Sequence, residues 1–425
     1  MKKRIVRNEK LQEKYYYVQH PSGLTILLYP MPNYSSAYAL FGTRLGSIDM
    51  TFKSGSDQQF TVVPEGVAHF LEHKLFESED GDAFSLFAKT GASANAFTSF
   101  DRTCYLFSTT NHFKESLKSL LTFVQSPYFT QETVEKEQGI IGQEIKMYED
   151  NPGWRVFFNL LGCLYHNHPV KIDIAGTVES IAKIDAKLLY KCYHTFYNLN
   201  NMVLAIAGNF SVQEAEEVIE ANLKDTEKVK LIQKTADEPD SICEKECLQK
   251  LSVSLPLFQI GFKETPYSGM EWLKAQMESE ILLEMLAGEG SLLYRRLYDA
   301  GLIHDDFGTE VFSGRGYFAN IFAGESKDPK KVQEELLKEI RRLRKSGLSE
   351  QDFLSCKKSM YGRIVRGFNK VESVANGLVS SYFADVDIYD NIKVAEAMSF
   401  RDIKRRFADS LDESKMAISV IEPLE

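Results

Sequence analysis

Residues 69–73 read His-Phe-Leu-Glu-His, inside the stretch VPEGVAHFLEHKLFESEDGD. Two imidazoles four residues apart, with a carboxylate between them, could bind a metal ion and move a proton. On a helix, positions i and i+4 stand one turn apart on the same side. Two imidazole nitrogens so placed can share one zinc ion, and Glu72 beside them can accept a proton from water that the ion acidifies. With 8 His in 425 residues, composition alone produces this pattern in about one chain in a hundred. A catalytic zinc takes three protein ligands and leaves its fourth position to water, so His69 and His73 require a third ligand from elsewhere.

The best source is TVEKEQGIIGQEIKMYEDNPG, residues 133–153. Thr133 suits a helix start, and Asn151, Pro152 and Gly153 suit a stop. At about 100° per residue, Glu137 and Glu144 fall within about 20° of one another, flanked on the same face by Ile140, Ile141, Ile145 and Tyr148. Glu135 points to the opposite side and Glu149 well away, as solvated residues do. Burying Glu137 and Glu144 without partners is costly. A zinc ion with its histidines is one partner, a lysine or arginine is the other, and the spacing leaves both open.

These residues need elements to hold them. Pro64 and Glu65 suit a first helical turn, and Val67, Phe70, Leu71 and Leu75 then recur at helical spacing, with His69 and His73 clear of that stripe. Upstream, YYYVQHPSGLTILLYPMP places Pro-Ser-Gly between two β-type runs and predicts a hairpin. YALFGTRLGSIDMTF, CYLFSTT and MVLAIAGNF supply further strands, and HFKESLKSLLTFVQS a helix. Strands and helices are grouped without regular βαβ alternation, which predicts an α+β fold. Residues 227–250 are charged, lack apolar periodicity and contain Pro239, so they are expected to connect a first domain, 1–226, to a second, 251–425. In the second, LSVSLPLFQIGFKE and GYFANIFAGE read as strands. EWLKAQMESEILLEMLAGEGSLLYRRLYDAGL and VQEELLKEIRRLRKSG read as helices, so the order of elements loosely repeats.

Composition narrows the function. A formal charge of -10 with no basic block disfavours nucleic acid as a partner. MKKRIVRNEKLQEKYYYVQ is interrupted by charges before a signal-peptide core can form, and no run reaches the roughly 18 apolar residues of a membrane span, so a cytoplasmic protein without membrane partners is expected. Cys104, Cys163, Cys192, Cys243, Cys247 and Cys356 are widely spread and read as reduced thiols. Cys243 and Cys247 lack the second pair of a zinc ribbon. His166 and His168 precede Pro169 with no bracketing acid pair, and read as loop residues. No glycine-rich phosphate loop and no G-x-S-x-G elbow occurs.

The chain resembles the inverted zinc-motif peptidases related to insulinase, pitrilysin and the mitochondrial processing peptidase, in particular their short bacterial members. The signature His-x-x-Glu-His, followed about seventy residues later by a glutamate on another helix, matches His69, Glu72, His73 and Glu144. The likeness continues through GASANAFTSFDRTCYLFS, HPVKIDIAGTVESI and FYNLNNMVLAIAGNF. It implies one zinc ion per chain on His69, His73 and Glu144, with Glu72 as general base and Glu137 supporting the ligands from behind. Asn95 and Ala96 would lie on an edge strand that pairs with an extended peptide, a mode largely independent of side chains. It also implies two similar α+β domains, each a mainly antiparallel sheet packed with helices, forming half of a clam-like chamber. A second related chain, as homodimer or heterodimer, would complete that chamber.

One departure is expected to matter. Where the family carries a substrate-facing Arg and Tyr, RRLYDAGLIHDDFG places Leu297 and His304, with Arg295 and Arg296 out of register, so a partner chain is expected to supply the pair. The activity implied is a zinc-dependent endopeptidase acting on peptides or small unfolded polypeptides. The alternative is a peptide-binding or scaffolding subunit without hydrolysis.

Overall fold

The computed structural model describes residues 2–55, 57–79, 81–224, 226 and 228–424. Seven strands form the first sheet, in the spatial order Lys2–Asn8, Glu13–Gln19, Thr25–Pro30, Met202–Gly208, Ala37–Thr43, Thr103–Thr109, Ser93–Thr98. The expected hairpin is its second pair, with Gln19 opposite Thr25 and Tyr16 opposite Leu28. All neighbours are antiparallel except Thr25–Pro30 with Met202–Gly208. A five-stranded sheet follows in the order Glu246–Leu251, Met416–Pro423, Leu257–Lys263, Tyr317–Glu325, Gly308–Gly314. Its first pair is parallel and the others antiparallel. The last five strands of the first sheet therefore recur in type and order in the second. The chain is a pair of similar α+β domains, and the loose repeat seen in the sequence is a repeat of topology.

Five helices of the first half carry or support the candidate site: α1 (Val67–Leu75), α2 (Phe84–Thr90), α3 (Phe113–Val124), α4 (Gln131–Glu149) and α5 (Pro152–Leu164). Phe70, Leu71 and Leu75 of α1, Leu117, Leu120 and Leu121 of α3, and Val134, Ile141 and Ile145 of α4 pack with Phe41, Tyr105 and Leu204 on one face of the first sheet.

The opposite face is covered by the other half. Val374, Ala375, Leu378 and Val379 of the helix Val371–Phe383 pack on Leu27, Leu40, Leu106 and Val203. Reciprocally, α5 lays Phe158, Leu160, Leu161 and Leu164 against Phe312, Tyr317, Ala319, Ile321 and Ala417 of the second sheet. Gly261 makes this approach possible, since a Cβ there would stand 3.0 Å from both Leu160 Cδ2 and Leu164 Cδ1. Strands buried on both faces read as continuous apolar runs, which is why Met202–Gly208 is MVLAIAG and buried throughout.

Several boundaries differ from the sequence expectation. In α1 the first turn begins after Gly66, so Pro64 and Glu65 precede the helix. In α4 Thr130 is the cap, its hydroxyl accepting from the Thr133 backbone while Thr133 reciprocates. Asn151 and Pro152 begin α5, where the Asn151 side chain accepts from Trp154 N–H. Ile140 is 48% exposed and does not share the buried stripe. The long helical stretch of the second half is two helices, Gly269–Ala287 and Leu292–Asp299, because Ser291 caps a new start at Tyr294 N–H.

Within 227–250, residue 227 lies outside the described residues, as do the chain ends 1 and 425. Leu231–Gln233 pairs with Thr51–Ser54, and Glu246–Leu251 edges the second sheet. Between them Glu238 accepts from the backbone N–H of His166, Asn167 and His168 and from Lys263 Nζ. Residues 228–250 are thus strapped to both halves.

Candidate metal centre

Gly66 sets the start of α1 and its placement. Its φ of +85° is in the left-handed region, and a Cβ there would come within 2.3 Å of the Ala175 carbonyl oxygen. The helix can therefore begin against residues 173–176. With Phe70, Leu71 and Leu75 turned into the core, His69 and His73 face α4, which packs alongside.

The facing side chains converge. His69 Nε2 is 3.7 Å from Glu144 Oε1, and His73 Nε2 is 3.5 Å from Glu144 Oε2. One ligand atom from each of His69, His73 and Glu144 lies within 4.8 Å of the others. Glu137, about two turns earlier on α4, is 3.0 Å from His73 Nδ1. With Nδ1–H donating to that carboxylate, the lone pair of His73 Nε2 is directed at the common point. His69 Nδ1 is buried with no hydrogen-bond partner among the described residues. Neither Glu137 nor Glu144 forms an ion pair with a lysine or arginine among them. Two imidazoles and a carboxylate form a donor set that suits zinc.

Glu72 lies on the same face, and its Oε2 accepts from the Thr98 hydroxyl at 2.5 Å. Thr98 ends Ser93–Thr98, the edge strand of the first sheet. Asn95 is exposed on that strand, and the Ala96 N–H donates to the Asn95 side chain at 2.9 Å rather than to the neighbouring strand. A pocket of about 270 Å³ joins the three converging donor groups to this edge, lined by His69, Glu72, His73, Glu144, Ala96 and Trp154 among others.

Burial pushes the His69 imidazole down to about 4, aided by the nearby His73, so it is a neutral donor at ordinary pH. The same desolvation raises Glu72, against the hydrogen bond from Thr98. For His73 burial works downward, yet the Glu137 hydrogen bond and the Glu144 charge outweigh it and the group is raised. Glu137 is the complement, lowered by its bond to His73 despite desolvation.

The family model described as Insulinase (Peptidase family M16) matches residues 43–178, and the one described as Peptidase M16 inactive domain matches 183–360. A Bacillus subtilis protein named as the uncharacterized zinc protease YmfH is 37% identical over 423 residues, spanning 98% of this chain and 99% of its own. The chain belongs to the M16, or insulinase, family of peptidases. Its fold is similar to that of an M16-like peptidase from Alicyclobacillus acidocaldarius, with a TM-score of 0.93 at 35% identity over 96% of this chain and 98% of the other. A protease from Helicobacter pylori shares the fold at 18% identity, with a TM-score of 0.84 over 97% and 100% of the two chains.

Within this M16 chain the second half contributes nothing to the pocket lining among the described residues. Leu297 is a core residue, His304 an exposed loop residue, and Arg296 pairs with Glu335 and Glu339. His168 is buried, with Nε2 against the Arg315 carbonyl and Nδ1 accepting from Val170 N–H, a structural role. The six cysteines are free thiols. Among the described residues His69, His73 and Glu144 are the group placed to hold a metal ion, and no helix is long and apolar enough to cross a membrane.

The sequence assigns no role to four neighbours of the site, although it puts Tyr148 on the same face of α4 as Glu137 and Glu144. Thr98 holds Glu72, Tyr148 donates to Glu144 Oε1 at 2.7 Å, Trp154 stacks on Tyr148, and Asp173 accepts from the Trp154 indole. Only Tyr148 carried a local signal, standing one turn beyond Glu144 on its helix.

Proposed function

We propose that this chain is a zinc-dependent endopeptidase that binds one zinc ion through His69, His73 and Glu144 and hydrolyses peptides or small unfolded polypeptides. The observation that carries the reading is the convergence of those three donors beside Glu72, in a pocket that opens on a sheet edge. The relatives' description as zinc proteases agrees with it. A zinc ion held there would supply a Lewis acid that polarises the scissile carbonyl and lowers the pKa of water toward about 7.

The chain's own residues do the rest. Glu72, steadied at Oε2 by Thr98, takes the proton from the attacking water and returns it to the leaving amine. Glu137 fixes the His73 tautomer. Ala96 N–H and the edge around Asn95 align the substrate as an added strand, which selects extended chains over folded ones.

The two domains divide within 227–250, with Glu246–Leu251 already part of the second sheet, and the protein works in the cytoplasm. A second M16-type chain, identical or related, closes the chamber and supplies substrate contacts that Leu297 and His304 cannot make. Elemental analysis of the purified chain, with a quenched peptide library, tests the proposal. About one zinc per chain with cleavage supports it. Peptide binding without zinc would favour a non-catalytic subunit instead.

A further inference from the structure

We propose that Tyr148, Trp154 and Asp173 form a positioning array that holds the Glu144 carboxylate in the ligand set; the inference rests on the metal-centre reading above. Glu144 sits close to the C-terminus of α4 on a side chain with three rotatable bonds, so something must choose its rotamer. Tyr148, one turn further on, donates to Oε1 at 2.7 Å, with the two carboxylate oxygens 3.7 Å and 3.5 Å from the histidine nitrogens. The phenol ring is set in turn by stacking on Trp154, at 4.6 Å between centroids and 17° between planes. Pro152 and the Asn151 cap start α5 one turn earlier and bring Trp154 back over the end of α4.

The array closes on the rest of the site. The Trp154 indole N–H donates to Asp173 Oδ2 at 2.5 Å, while Asp173 Oδ1 accepts the Ala175 N–H at 3.0 Å. Ala175 is the residue against which Gly66 starts α1. The series Glu144, Tyr148, Trp154, Asp173 and Ala175 therefore connects the helix bearing the third ligand to the start of the helix bearing the other two. Simple packing would need the aromatic rings but neither the phenol hydroxyl nor an acceptor aimed at the indole nitrogen. Partners that orient metal ligands typically change affinity about 10- to 100-fold when removed.

The test compares zinc affinity, by competition with a chromophoric chelator, with thermal unfolding of the zinc-free proteins. Tyr148→Phe keeps the ring and loses only the hydroxyl, Asp173→Ala removes the indole acceptor, and Asp173→Asn keeps an acceptor oxygen. The expected result is about a tenfold loss of zinc affinity in Tyr148→Phe and in Asp173→Ala. Asp173→Asn, whose single carbonyl oxygen replaces two accepting carboxylate oxygens, should recover only part of the loss, and zinc-free Tyr148→Phe should unfold as the wild type does. Zinc affinity of Tyr148→Phe within about twofold of wild type would overturn the array, as would affinity losses that only track zinc-free stability. Failure of the wild type itself to bind zinc would overturn the metal-centre reading on which the array depends.

Discussion

Removing the carboxylate behind His73 should weaken metal binding by an amount the geometry sets. The Glu137 carboxylate lies 3.0 Å from His73 Nδ1, and its side chain is only 14% exposed, so solvent screens the bond weakly. A hydrogen bond to a charged group contributes about 1.5–3 kcal/mol. At about 1.4 kcal/mol per tenfold, that corresponds to roughly 10- to 150-fold in affinity. Glu137→Gln keeps an acceptor oxygen and should fall near the lower end. Glu137→Ala leaves His73 free to rotate or to change tautomer and should fall near the upper end. The assay is chelator competition at constant pH, with circular dichroism of the zinc-free variants to establish that α1 and α4 remain folded. Zinc affinity of Glu137→Ala within about twofold of wild type would refute the assigned tautomer and the role of Glu137.

Other elements carry their own predictions. Leu160→Ala in α5 should destabilise the protein by about 2–5 kcal/mol, because the side chain is fully buried against the second sheet; urea unfolding showing a loss below about 1 kcal/mol would refute the reciprocal covering of the two sheets. Burial raises Glu264 to about 7, against the pull of Arg406, so the folded state holds that proton more tightly than the unfolded chain does. Its contribution to stability is therefore largest below the ordinary carboxylate range and is lost as pH rises through about 7, by about 3 kcal/mol in all. Glu264→Gln should flatten the stability profile between about pH 5 and about pH 8 even though it leaves Arg406 unpaired, and an unchanged slope would count against the assignment. Ala96→Pro removes an N–H that faces away from the neighbouring strand, so KM for peptides should rise while zinc affinity holds; an unchanged KM would remove the edge strand from substrate binding.

What was legible in the sequence was mainly short in range. His69 and His73 share a helix face because four residues make about one turn, and Glu137 and Glu144 do so because seven make about two. The hairpin around Pro21, Ser22 and Gly23 follows from turn chemistry between two apolar runs. Long-range contacts were not legible. That α5 covers the second sheet and Val371–Phe383 the first depends on how two domains dock, which no local period encodes. Ile140 shows the same limit on a smaller scale, since its face on α4 is defined only by where α1 lies. Thr98 and Asp173 reach the site from a strand edge and a loop, 26 and 29 residues from Glu72 and Glu144, and no spacing rule joins them.

Cleavage of a quenched peptide library by the wild type and by Glu72→Gln, each loaded with zinc, tests the central claim most directly. The account predicts equal zinc content in the two proteins, with turnover in the wild type and a loss of at least about a hundredfold in the variant, the scale of a missing general base. Equal rates in both proteins, or zinc lost together with the Glu72 carboxylate, would contradict the assignment of Glu72 as the residue that moves the proton.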